Sequence, residues 1–183
     1  MVGYQVYEKE CSEYASDILE DVCRKEKIKK DKVILHSDNG SPMKGAMMLS
    51  TLQRLGVVPS FSRPGISNDN PYSESLFRTL KYHPIYPFKP FESVLEAREW
   101  VANFVSWYNN QHLHSGIKFV TPNQRHLGKD GKILQKRMQV YEEAKKRNPH
   151  RWSRGIRNWK KDCEVHLNPE KGKSSCLEFR AAV

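Results

Sequence analysis

Two acids in this chain follow the sequence signals of a strand end and a helix start. Asp38 comes just after the β-branched run Val33-Ile34-Leu35, and Glu74 falls in the first turn of a helix opened by Asn70-Pro71, with 35 residues between them. Carboxylates delivered from a strand end and a neighbouring helix can share a hard cation such as Mg²⁺, or Mn²⁺ in its place, which takes oxygen ligands and keeps sites open for phosphate and water. A paired Mg²⁺ site about 4 Å across stabilises both the attacking and the leaving oxygen of an in-line phosphoryl displacement. The positive end of the helix dipole favours the ionised form of Glu74 that a metal ligand needs. Asn70, Glu74, Arg78 and Lys81 recur at i, i+4, i+8 and i+11, along one helical stripe, so acid and base can grip metal and phosphate side by side. The competing use of that stripe is a surface Glu74–Arg78 pair contributing about 0.3–0.5 kcal/mol.

The elements that must carry these residues are readable from periodicity. Val2 to Tyr7 alternates with period two and predicts a strand. From Ser12, Ala15, Ile18, Leu19, Val22 and Cys23 recur at helical spacing. Val33-Ile34-Leu35 predicts a strand ending at His36-Ser37-Asp38-Asn39-Gly40, where Asn-Gly signals a turn. Gly45 to Leu55 predicts a helix with Met48, Leu52 and Leu55 on one face, and Gly56 to Phe61 a further strand. The order β-α-β-α-β implies an α/β sheet. Asn70 suits the N-cap and Pro71 the first helical position of the next helix, with Tyr72, Leu76, Phe77 and Leu80 as its buried side. Pro84, Pro87 and Pro90 exclude helix between His83 and Phe91. Ser93-x-x-Glu96 and Thr121-x-x-Gln124 are capping boxes. The first opens a long helix carrying Trp100 and Trp107, read as core or interface residues. Ile133 to Arg147 predicts a last, basic helix. Beyond Pro149 the chain reads as irregular, with a pattern that allows a short strand at Glu164 to Leu167.

Charge divides the chain unevenly. Its 183 residues hold 31 Lys and Arg against 21 Asp and Glu, a net +10, and residues 129–183 alone hold 15 basic and 7 acidic side chains. A basic field gathered on one segment attracts polyanions through counterion release, which makes nucleic acid the first partner to expect, an anionic membrane surface the second, and a solvated tail the alternative. Arg151, Arg154, Arg157, Lys160 and Lys161, interleaved with Trp152 and Trp159, suit phosphate contacts with stacking on exposed bases. No apolar run approaches the roughly 20 residues of a membrane span, and no secretory pattern opens the chain, so a cytoplasmic location is expected. Cys11, Cys23, Cys163 and Cys176 are too scattered for a disulfide framework, and with His112 and His114 they lack the spacing of a zinc site. His36 is read as a packing or hydrogen-bonding group near the strand end.

Three stretches closely resemble the integrase core of bacterial insertion-sequence transposases of the second-reading-frame type, relatives of retroviral integrases. They are His36-Ser37-Asp38-Asn39-Gly40-Ser41-Pro42-Met43, Pro59 to Gly65, and Asp69-Asn70-Pro71-Tyr72-Ser73-Glu74-Ser75-Leu76-Phe77-Arg78-Thr79-Leu80-Lys81. Trp107-Tyr108-Asn109-Asn110, His112-x-His114-Ser115-Gly116-Ile117 and Thr121-Pro122 resemble the segment that closes that core. Arg151 to Arg154, Arg157-Asn158-Trp159 and Leu167-Asn168-Pro169 resemble its basic tail. The resemblance covers about Val2 to Pro169. It implies an RNase H-like α/β fold, a partial catalytic core over residues 1–128 and a helical, basic region over 129–183. It also implies metal-dependent transesterification at element ends, in transposition and integration, by an Asp, Asp, Glu triad. By motif match Asp38 is the second catalytic, metal-binding acid and Glu74 the third, with Mg²⁺ as cofactor. The family's first Asp lies on a strand upstream of the position of Met1, so the expectation is a core lacking its first strands, truncated and impaired in catalysis. Asp17 and Asp21 fall in the first helix and are read as solvated charges. The expected partners are DNA, both element ends and target, and a second copy or an intact transposase, in a bacterial cytoplasm at the nucleoid. The alternative is a non-catalytic DNA-binding remnant that regulates an intact transposase.

Overall fold

Two parallel strands form the floor on which the motif residues stand. The computed structural model describes residues 1–161, in which β1 (Val33–Ser37) pairs with β2 (Val57–Phe61) in the register Val33↔Val57 through Ser37↔Phe61. A parallel pair needs a crossover, and here it is helical. It runs through the single turn α2 (Ser41–Lys44) and the longer α3 (Ala46–Leu55), between which Gly45 adopts an extended conformation. The expected helix from Gly45 is therefore confirmed from Ala46 on, and α2 is an addition that Pro42 at the start of a turn makes feasible.

The first helix, α1 (Ser12–Lys25), lies against α3, and their apolar faces meet. Leu19, Cys23, Met48, Leu52 and Val57 form the buried cluster, with Ala15, Ile28, Val33, Leu35 and Leu55 packed around it. Gly56 ends α3 in the left-handed region at φ +65. A Cβ there would lie 2.8 Å from Cβ of Lys30 and 3.0 Å from the Asp31 nitrogen, so the position requires glycine. The opposite face of the pair carries Ile34 and Val58, each about half exposed.

Val2 to Tyr7 does not form the expected strand. Among the described residues no strand edge meets it; the segment lies between α1 and the long helix α5 (Val94–Asn110). The Met1 ammonium donates to Oδ1 of Asn109 at 2.6 Å, and Arg98 donates to the Val6 carbonyl at 3.1 Å. A Cβ on Gly3 would come within 2.3 Å of Val22, so close packing on α1 has replaced a hydrogen-bonded ladder. Alternation makes a segment competent for a sheet, but backbone partners decide whether one forms.

Around α5 the aromatic residues assemble a second packed region. Phe104 is buried and stacks with Trp100 at 5.6 Å, while Trp107, Tyr108 and His83 surround it and His112 packs on Trp107 and Tyr108. Trp100 and Trp107 thus take the packing role expected of them. Ser93 caps α5 by accepting from the Glu96 N–H, but Glu96 reaches back to the N–H of Glu92 instead of closing the box. At Thr121 the box is complete and opens α6 (Pro122–His126).

The last helix, α7 (Asp130–Arg147), starts three residues before the expected Ile133. Asp130 is fully buried at its first turn and is held by Arg125 at 2.5 Å and Lys161 at 3.3 Å. Burial alone would raise its carboxyl pKa, yet the hydrogen bonds from Arg125 and Lys161 outweigh it and hold the group below the usual carboxylate range. Val120, Leu134 and Trp159 are buried together over α7. The stacking use expected of Trp159 is therefore corrected, because its ring is core. The expected strand at Glu164 to Leu167, and Cys163 and Cys176, lie outside the described residues. Among the described residues, no helix is long and apolar enough to cross a membrane.

Candidate functional site

At the carboxyl ends of β1 and β2 a chain of hydrogen bonds ties together three segments far apart in sequence. Parallel strands end side by side, so the loops after Ser37 and Phe61 emerge next to each other. Ser62 donates to the Ser37 carbonyl through both its N–H (3.0 Å) and its Oγ (3.2 Å), extending the pairing one residue past β2. Asn39 returns the contact by donating to the Ser62 carbonyl at 2.8 Å. His36 takes the hydrogen-bonding role expected of it. Its Nδ1 meets Ser60 Oγ at 2.9 Å and its Nε2 the Asp69 carbonyl at 3.1 Å.

The loop between β2 and α4 (Pro71–Lys81) is closed by an acid and base that sequence reasoning missed. Asp69 ends a single 3₁₀ turn, Ser67–Asp69, and is buried at 5% exposure. Its Oδ2 accepts from the Arg63 backbone N–H at 2.9 Å and from Arg63 Nε at 3.0 Å, and its Oδ1 from Nη2 at 2.8 Å. This is the planar, two-pronged recognition that arginine makes with carboxylate. The available signal was the pairing of a loop arginine with an acid just before a helix start, six residues apart. Asn70 occupies the N-cap position of α4 as expected, but its side chain donates to Ser62 Oγ at 2.6 Å and accepts nothing from the helix. The start of the helix bearing Glu74 is thus held to the end of the strand bearing Asp38 through Ser62, His36 and Asp69.

The two acids themselves are exposed. Asp38 Oδ1 accepts from the Gly40 N–H at 3.0 Å in a tight Asx turn, which leaves Oδ2 free. Glu74 forms no ion pair or side-chain hydrogen bond among the described residues, so it is not neutralised by Arg78. Two hard oxygen donors with no competing cation on either fit a divalent metal of the Mg²⁺ class. Among the described residues no three His, Cys, Asp or Glu side chains gather as a metal cluster.

The other candidate residues divide between surface and packing. Arg78 and Lys81 are exposed along α4, with the Arg78 guanidinium 5.9 Å from the Tyr82 ring. Asn70 is turned inward, so the continuous stripe drawn from periodicity begins at Glu74. The expected buried side of α4 is also corrected. None of its residues is buried, and Tyr72 and Phe77 are more than half exposed, because α4 crosses no packed layer. Arg151, Arg154 and Lys160 are exposed, and Trp152 is half-buried against Tyr141. Arg157 lies 4.6 Å over the Phe119 ring, and Lys161 is tied to Asp130.

Residues 55–122, which include β2, the Arg63–Asp69 loop and Glu74, match the family described as Integrase core domain. Proteins similar to the chain include the transposase for insertion sequence element IS904 of Lactococcus lactis, 30% identical over 67% of this chain and 48% of the relative. Similar too are the putative transposase of IS986/IS6110 of Mycobacterium tuberculosis, at 31% over 49% of this chain and 32% of the relative, and the putative transposase InsK of IS150 of Escherichia coli, at 30% over 49% and 31%. The chain therefore spans about half the length, or less, of these relatives. Among solved structures, the catalytic core domain of BIV integrase aligns over 70% of this chain and 78% of its own, with a TM-score of 0.48 at 21% identity. A simian T-cell lymphotropic virus intasome aligns over 64% and 41%, with a TM-score of 0.46 at 16% identity.

Proposed function

We propose that this chain carries part of the DNA strand-transfer machinery of an insertion-sequence transposase, with an RNase H-like core over residues 1–128 and a basic DNA-gripping region over 129–183. The reading is carried by one juxtaposition. The integrase-core segment bearing Glu74 is tied by the Ser62, His36 and Asp69 contacts to the strand end bearing Asp38. In this reading Asp38 and Glu74 hold Mg²⁺, or Mn²⁺, which when bound supplies Lewis-acid stabilisation to a phosphodiester undergoing in-line displacement. The chain's own residues do the remaining work. The Arg63–Asp69 clamp keeps the first turn of α4 in place, so that the Glu74 carboxylate is presented to the cation in one geometry. Arg78 and Lys81, one and two turns further along α4, lie where they can neutralise the backbone of the reacting strand. Arg151, Trp152, Arg154, Arg157, Lys160 and Lys161 hold the flanking DNA largely through its phosphates. Partners are element ends, target DNA and a second copy or an intact transposase, at a bacterial nucleoid.

The test is Mg²⁺- or Mn²⁺-dependent cleavage and joining of element-end DNA by the 183-residue chain, alongside Asp38→Asn and Glu74→Gln. The expected result is weak turnover in the parent that both substitutions abolish, with Mn²⁺ binding abolished in parallel. Equal activity in parent and variants would refute the assignment. A second reading, DNA binding without chemistry, draws on the concentration of positive charge in residues 129–183. It predicts binding by the parent that both substitutions leave intact, and no turnover under any metal.

A further inference from the structure

A recess at the end of α4 shares only Arg78 with the machinery proposed above. It measures about 390 Å³, and Ser75, Arg78, Thr79, Tyr82, His83 and Trp107 line it. That size lies within the range of about 300–1,000 Å³ found for small-ligand sites. Three of these residues are aromatic, and they differ in how firmly they are held. Trp107 is half-buried and backed by Phe104 at 5.8 Å and His112 at 4.9 Å, and His83 stands edge-on to it at 4.4 Å and 76°. Tyr82, by contrast, is 79% exposed, with the Arg78 guanidinium over its ring at 5.9 Å from the centroid. The Thr79 hydroxyl is already used, donating to the Ser75 carbonyl at 2.9 Å. The recess thus offers a firm aromatic floor, an exposed aromatic wall and a cation packed on that wall.

Ring faces open to solvent attract another π-system, and a guanidinium beside them attracts phosphate. A lone phosphate would have no use for the rings, and an apolar peptide none for the arginine. A nucleotide whose base has left its stack uses both, and it does so whatever its sequence, because every base has a π-face. The place of the recess is equally informative. Tyr82 follows Glu74 by eight residues, about 12 Å along a helix at 1.5 Å per residue. Each strand of a DNA duplex advances about 3.4 Å per nucleotide, so this distance corresponds to about three or four nucleotides.

We propose that this recess captures an unpaired base of a DNA strand, about three or four nucleotides from the phosphate that would react at the Asp38–Glu74 cation site. The assignment rests on the strand-transfer reading and adds to it a site for a splayed strand end. It is tested by measuring affinities of the full chain for a blunt duplex, a duplex with a short single-stranded 3′ overhang, and the same overhang made abasic. The base-bearing overhang is expected to bind at least about fivefold tighter than the abasic one, the lower end of what base–aromatic stacking supplies. Tyr82→Ala, at an exposed position, should remove that difference, and Tyr82→Phe should keep it. Iodouracil placed in the overhang should crosslink to Tyr82 or Trp107 on irradiation. Equal affinity for base-bearing and abasic overhangs, with duplex binding intact, would overturn the recess as a base site and leave the strand-transfer reading standing. Loss of binding to all three DNAs would overturn both.

Discussion

Removing one half of the Arg63–Asp69 clamp should cost stability asymmetrically, and the structure says which half costs more. The Asp69 side chain is 7% exposed and the Arg63 side chain 52% exposed. In Asp69→Ala the guanidinium gives up two charge-assisted bonds but can turn to water. In Arg63→Met the buried carboxylate loses both guanidinium bonds and keeps the backbone N–H of residue 63. Breaking a buried pair by removing one partner costs about 3–5 kcal/mol, and a largely exposed pair contributes about 0–1 kcal/mol. This pair lies between those limits, so about 2 kcal/mol is expected for Asp69→Ala and about 3 kcal/mol for Arg63→Met. At about 2–4 °C per kcal/mol for a chain of this size, the melting temperature should fall by about 4–8 °C in the first and about 6–12 °C in the second. Urea unfolding of both single variants and the double variant closes the cycle. The double should be destabilised by at least about 1 kcal/mol less than the sum of the singles. Strand transfer should fall in each variant below what the folded fraction accounts for, while DNA affinity holds. Additive effects within about 0.5 kcal/mol, or both singles destabilised by less than that, would refute the clamp as an energetic unit.

Three further outcomes follow from other parts of the molecule. Burial, reinforced by the nearby His114 and His83, holds the His112 imidazole below its ordinary value of 6.5. As pH falls the unfolded chain therefore takes up this proton first, so stability present at neutral pH should begin to drop below about 6.5. Urea midpoints between about pH 7.5 and about pH 5.5 should show the drop, and His112→Gln should reduce it. In the basic region, Arg151→Ala with Arg154→Ala should weaken binding to every DNA sequence alike and flatten its salt slope by about 0.9 for each phosphate that an arginine no longer neutralises. Arg157→Ala should in addition lower the melting temperature, since that guanidinium packs on Phe119 and Trp159. Gly56→Ala should destabilise the fold by more than about 1 kcal/mol in chemical denaturation, because both the positive φ and the closeness of Lys30 oppose a Cβ.

Much of this protein is written in short-range signals. Helix spacing from Ala15 to Cys23, the capping boxes at Ser93 and Thr121, and Asn70-Pro71 before Glu74 are each decided within one or two turns of chain, and the helices they predict are present. The motif around Asp38 and Glu74, with their separation of 35 residues, is likewise a property of the sequence alone. What the sequence could not settle are contacts whose partners lie far along the chain. His36 finds Ser60 and Asp69, Ser62 finds Ser37, and the Val2 to Tyr7 segment finds α1 and α5 in place of a strand edge. Trp159 looked free among arginines because nothing local shows that Val120 and Leu134 would close over it. Periodicity reports which face of an element can be buried, and a period of two or 3.6 residues carries no address for the surface that will cover it. Tertiary packing supplies that address. It placed the Glu74 helix beside the Asp38 strand end, and left the apolar side of that same helix open to solvent.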